Sequence, residues 1–175
     1  MKIMIISDIH GYSKNLKEVL DIYTNNNFDM MICLGDLLIP GYDYEEVKTL
    51  LNNFSRKYDF TCMMGNNDRY IDGLDFPLCE GYISLTIDGH RMFFTHGNRY
   101  NINNKSFMDR EGDILIQGHT HSRWMYKEYT KYYLNPGSIS LPRDDCDGSF
   151  IIYENNVFYL YDIDNNLEST LEVLK

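Results

Sequence analysis

The chain has 175 residues, 43% hydrophobic and 14% aromatic, enough for one well-buried core and short for two, so a single domain over residues 1–175 is expected. A formal charge of -10 excludes a broad basic face for clamping extended nucleic acid, because phosphate neutralisation needs clustered Lys and Arg. Cys33, Cys62, Cys79 and Cys146 lack Cys-x-x-Cys spacing, and no apolar run is long enough for a signal segment or a membrane span. The expectation is a cytoplasmic protein with free thiols and no membrane partner.

Lys2 to Ser7 is an apolar run without alternation, the mark of a strand buried on both faces, and it ends in Asp8-Ile9-His10-Gly11. Leu16, Val19, Leu20 and Tyr23 follow at helical spacing, with Ser13 placed to cap the start and Asn25-Asn26-Asn27 to end it. Asp29 to Leu34 is a second buried strand, finishing in Gly35-Asp36. A strand, a helix and a parallel strand form a right-handed crossover, so Asp8 and Asp36 fall on one sheet edge. Asp43 and Glu46 stand at capping-box spacing before a helix striped with Val47, Leu50, Leu51 and Phe54. Asp59 to Met63 is a third strand, ending in Gly65-Asn66-Asn67-Asp68.

Beyond residue 80 strands dominate. Tyr82 to Ile87 and Arg91 to Thr95 form a hairpin over Asp88-Gly89, the second strand running into His96-Gly97, with His90 read as a turn residue. A short, weakly periodic helix is expected over Asn103 to Arg110. Asp113 to Gln117 is a strand ending in Gly118-His119-Thr120-His121. Trp124 to Tyr126 and Lys131 to Leu134 read as a strand pair, Asn135-Pro136-Gly137-Ser138 as a turn, and Ser149 to Tyr153 with Val157 to Tyr161 as a hairpin over Asn155-Asn156. The tail from Asp164 carries Leu167, Leu171, Val173 and Leu174, suited to packing on this chain or on a second copy as a homo-oligomer.

Four of the five histidines thus stand at strand ends, together with Asp8, Asp36, Asn66 and Asp68. Imidazole nitrogens with carboxylate and amide oxygens, and no thiolate, suit Mn, Fe, Zn, Ni or Co better than Mg. The donors outnumber the positions around one ion. Two ions bridged by a carboxylate form the clamp used for in-line displacement at phosphorus.

The blocks Asp8-x-His10, Gly35-Asp36, Gly65-Asn66-x-Asp68, His96-Gly97 and Gly118-His119-x-His121 resemble the calcineurin-like metallophosphoesterase superfamily, in particular its small YfcE-type phosphodiesterase branch. All five occur in family order between residue 1 and about residue 143, and Asn135-Pro136-Gly137-Ser138 resembles a further element of the branch. The resemblance implies an α/β fold, a four-layer α/β/β/α sandwich of two mixed sheets flanked by helices. It implies Asp8, His10, Asp36 and His121 on one divalent ion and Asp36, Asn66, His96 and His119 on the other, Asp36 bridging, with manganese first among the metals. It also implies hydrolysis of a small phosphodiester by a metal-bridging hydroxide. The alternatives are a phosphomonoesterase and a noncatalytic metal-binding scaffold of the same fold.

Two positions depart from the family pattern. Asn67 stands where relatives carry His or Cys, and Asn98 where the branch often carries His. A side-chain amide is no general acid near neutral pH, so both act at most as substrate contacts. Asn66 and Asp68 are the catalytic candidates, Asn66 on the phosphoryl oxygens and Asp68 by orienting a neighbour through hydrogen bonds. Arg69, Arg99, Arg123 and Arg143 follow motifs closely and are expected to ring the site, with Arg143 the foremost phosphate contact.

Overall fold

The computed structural model describes residues 1–39, 42–69 and 71–174. Its elements are β1 (Lys2–Ile6), α1 (Ser13–Thr24), β2 (Met30–Cys33), α2 (Tyr44–Ser55), β3 (Phe60–Met63), β4 (Leu78–Cys79), β5 (Tyr82–Ile87), β6 (His90–Thr95), β7 (Ile114–Gln117), β8 (Arg123–Glu128), β9 (Lys131–Pro136), β10 (Ser149–Glu154), β11 (Val157–Asp162) and β12 (Leu167–Glu172). They form a seven-stranded sheet, β12-β11-β10-β1-β2-β3-β4, and a five-stranded sheet, β5-β6-β7-β9-β8. Both are mixed: β1 pairs β2 in parallel and β10 antiparallel, while β7 is parallel to both its neighbours and β5 and β8 run against theirs.

Period-two burial explains the layering. Met4 and Ile6 of β1 pack with Leu16, Val19, Val47 and Leu51 of the helices, whereas Ile3 and Ile5 face Met92, Phe94, Ile114 and Ile116 across the sandwich. Each such fully buried side chain is worth roughly 1.5–3 kcal/mol over an exposed one. The outermost layer differs from expectation. Phe93, Leu115 and Tyr133 are covered by Ile102, Phe107 and Met108 from a chain of turns, and no helix forms over residues 103–110. The cause is local: the Asn101 amide donates to the carbonyl of Gly97 and the Asn104 amide to that of Arg99, while Gln117 Oε1 accepts the N–H of Ile102. Asn side chains that capture backbone groups in this way compete with the helical pattern.

The capping expectations are also corrected. Tyr12 is the N-cap of α1, and neither Ser13 nor Asp43 makes a cap bond; Ser13 Oγ donates to Asp43 Oδ2 at 2.9 Å and ties the two helix starts together. His90 lies buried in β6, 3.1 Å from Asn156 Oδ1 of the β10–β11 turn, rather than in the turn before β6. The tail packs on its own chain, as β12 against β11. Asn135 and Pro136 are the last residues of β9, and the chain turns at Gly137, whose φ is +77° and whose N–H donates to Asn135 Oδ1 at 2.9 Å. Among the described residues no helix is long and apolar enough to cross a membrane.

Candidate metal centre

All parallel strands of both sheets end at one edge, and the polar strand ends meet there. Ligand atoms of Asp8, His10, Asp36 and His121 lie within 4.8 Å of one another, as do those of Asp36, His96 and His119. Asp36 belongs to both groups. Asn66 joins the second through Oδ1, 3.0 Å from His96 Nε2. Across the first group His10 Nε2 and His121 Nε2 stand 3.0 Å apart, and His121 Nε2 lies 3.3 Å from Asp8 Oδ1.

Three of the strand ends, those after β1, β2 and β7, share one backbone device. Asp8, His10, Asp36, His119 and His121 all adopt left-handed φ, between +52° and +70°. Asp and His tolerate this region better than most side chains, but it still costs roughly 1 kcal/mol per residue, offset by the bonds around it. The N–H of His10 donates to the carbonyl of Asp36, and Ser138 Oγ donates to the carbonyl of Asp8. The Asn135 amide donates to the Gly118 carbonyl and to Thr120 Oγ1, which holds the third strand end.

The donor chemistry fits divalent cations. Asp8 and Asp36 are 0% and 1% exposed, and among the described residues neither has a Lys or Arg partner; buried carboxylates persist when paired or bound to metal. Asp8 Oδ1 has no hydrogen-bond partner. His96 Nδ1 and His121 Nδ1 lie 2.9 and 2.7 Å from the carbonyls of Leu34 and Leu141, which only accept, so both Nδ1 atoms carry the proton and both Nε2 lone pairs point into the centre. There they face carboxylate and amide oxygens, an arrangement that a proton or a cation must reconcile. Burial alone raises the Asp8 carboxyl, and the imidazoles of His10 and His121 reverse this, holding it well below the usual carboxylate range. The Asp8 carboxylate in turn raises His121, while burial lowers His119.

The remaining candidates divide. Asp68 is buried and accepts the N–H groups of Asp36, Leu37 and Gly65 at 2.7–2.8 Å, so it positions two strand ends from beneath. The Asn67 amide donates to Asp36 Oδ2 and its N–H to Asp36 Oδ1, both at 2.8 Å, which turns an expected substrate contact into a clamp on the shared carboxylate. Asn98, Arg69 and Arg99 line a cleft of about 290 Å³ with Asn66. Arg143 is exposed, its N–H donating to the carbonyl of His121. Arg123 leaves the expected ring altogether, paired with Asp144 and Glu168. The carbonyls of Leu34 and Leu141, which set the tautomers, had no signal in the sequence because every residue owns one.

Gly65 is required for space rather than φ, since a Cβ there would run into Asp36 Oδ1. Gly65→Ala is therefore expected to displace the shared carboxylate and lower metal affinity about 10–100-fold, read by calorimetric titration of the metal-free protein.

The model of the calcineurin-like phosphoesterase superfamily domain matches residues 1–156. The chain belongs to this superfamily. Phosphodiesterase YfcE of Escherichia coli (strain K12) is 29% identical over 167 residues, 90% of this chain and 89% of that protein. A phosphodiesterase of Methanocaldococcus jannaschii is 27% identical over 145 residues, 78% of this chain and 83% of that protein. The solved structure of YfcE, a phosphoesterase from E. coli, matches with a TM-score of 0.91 at 26% identity over 99% of this chain and all 100% of that one. Vps29 of Entamoeba histolytica complexed with zinc shares the fold, with a TM-score of 0.68 at 20% identity over 99% of this chain and 100% of that one. The resemblance read from the five motif blocks is thereby borne out, and with it the α/β sandwich of two mixed sheets.

Proposed function

We propose that this superfamily member is a phosphodiesterase working with two divalent ions, manganese foremost, on a small diester in the cytoplasm. The observation that carries the reading is Asp36, whose carboxylate is common to both ligand groups. Asp8, His10, Asp36 and His121 would hold one ion, and Asp36, Asn66, His96 and His119 the other. Bound there, the ions supply Lewis-acid charge to the phosphoryl oxygens and activate the attacking water. The chain's own residues do the placing. Asn66 turns Oδ1 toward His96, which leaves its NH2 group as a donor for a phosphoryl oxygen at the cleft it lines. Asn67 and Asp68 hold Asp36 and its strand end in register from two sides. The mixed nitrogen and oxygen donors favour Mn and its borderline neighbours over Mg. Four free cysteines support a reducing compartment.

The test is hydrolysis of bis(p-nitrophenyl) phosphate beside p-nitrophenyl phosphate, after stripping with EDTA and after adding back Mn. Stripping is expected to cost at least about 10²-fold in rate, with recovery at two ions per chain by elemental analysis. A preference for the monoester would make the protein a phosphomonoesterase. Absence of both activities in the loaded protein would favour the scaffold.

A further inference from the structure

Two separate clefts open on the second ligand group. One, about 290 Å³, is lined by Asn66, Arg69, Asn98, Arg99 and Glu80. The other, about 270 Å³, is lined by His119, Thr120, Ser122, Ile102 and Trp124. They are divided by consecutive residues of one loop, since Asn98 lines the first and Gly97 the second. Each touches a different member of the Asn66, His96, His119 group, in which Asn66 Oδ1 is 3.0 Å from His96 Nε2 and the rings of His96 and His119 are 5.0 Å apart. A phosphorus atom held over that group would thus adjoin one cleft at Asn66 and the other at His119.

The two walls differ in chemistry. Arg69 and Arg99 are exposed, and among the described residues neither guanidinium has an acidic partner, unlike Arg56, Arg91 and Arg123; of the two carboxylates lining the cleft, Glu80 is exposed and Asp68 is buried beneath backbone N–H donors. Two guanidinium forks on one cleft suit a second phosphate or a carboxylate. The other cleft offers the indole of Trp124 and the aliphatic side chain of Ile102, with Thr120 Oγ1 accepting from Asn135 and Gln117 Oε1 from Ile102. That wall suits a flat ring. We propose that the substrate is an unsymmetrical phosphodiester, one arm carrying a further anion seated between Arg69 and Arg99, the other a planar ring lying against Trp124. This rests on the phosphodiesterase reading above.

Trp124 is the only tryptophan in the chain, so ring binding has its own readout. Phenylphosphonate, which cannot be hydrolysed at its C–P bond, is expected to quench the tryptophan emission of the Mn-loaded protein, while methylphosphonate at equal occupancy leaves it unchanged. For the anionic arm, kcat/KM is compared for thymidine 5′-(p-nitrophenyl phosphate) and its 3′-phosphorylated form. The phosphorylated ester should be preferred at least about tenfold, and Arg69→Gln with Arg99→Gln should bring the ratio near one. A ratio near one in the unmodified protein, or one indifferent to both arginines, overturns the anionic arm; equal emission with the two phosphonates overturns the ring. If neither ester is hydrolysed while bis(p-nitrophenyl) phosphate is also inert, the phosphodiesterase reading has failed instead. The arms are then decided by calorimetry, as tighter or equal binding of thymidine 3′,5′-bisphosphate against thymidine 5′-monophosphate.

Discussion

Asp36→Asn is expected to lower kcat at least about 10³-fold while the circular dichroism spectrum stays native. The substitution is nearly isosteric, so the core is undisturbed, but it fails electrostatically in either orientation of the new amide. Oδ1 accepts the N–H of Asn67, and Oδ2 accepts its side-chain amide while facing the Nε2 atoms of His10 and His96 at 3.6 and 3.5 Å. An NH2 group at either place meets a donor, and the neutral oxygen left over is a poor bridge. Both ligand groups lose their common member, so the effect exceeds that of removing a ligand from one of them. His119→Ala, which touches the second group only, should lose activity with less effect on the first ion's affinity. A variant within tenfold of the unmodified rate would refute the shared-carboxylate reading.

The second large effect concerns the leaving group. Neither Asn67 nor Asn98 can protonate a departing alkoxide, and Asn67 is in any case committed to Asp36. General acid help is worth about 10²–10⁴ in rate, so diesters of phenols should be cleaved faster than simple alkyl diesters by a margin of that order beyond their intrinsic difference. The rate should hold as the pH rises above neutrality, because no side chain need stay protonated. Asn67→His is expected to narrow the aryl–alkyl gap but to weaken metal binding as well, because it removes the amide that steadies Asp36. A shallow dependence on leaving-group pKa would show that another group supplies the proton.

Sequence pattern and structure agree most closely where period and position are local properties. The unbroken apolar runs of β1, β2 and β7 can only be strands covered on both faces, and the polar residues that end them inherit a common edge from parallel pairing. The hairpins over Asp88-Gly89 and Asn155-Asn156 were equally legible, since each turn needs residues that accept left-handed φ. Where an Asn or Ser side chain can bond several partners, local rules failed: Asn101 and Asn104 unmade the helix expected near residue 107, and Ser13 bonded Asp43 instead of capping α1.

The sequence by itself determined the donor set, because five motif blocks carry their ligand types at spacings that survive any packing of the loops between them. Only the tertiary structure decided what holds the Asp36 carboxylate in place, which imidazole nitrogen keeps its proton, and which arginines reach the cleft. Those are contacts between segments far apart in the chain: Asn67 meets Asp36 only once β3 has paired with β2, and His121 meets Leu141 only once the two sheets have packed. Arg123 and Arg99 look alike beside their motifs; the approach to Arg123 of Asp144 from the segment before β10, and of Glu168 from β12 beside β8, is what separates a structural ion pair from a cleft wall.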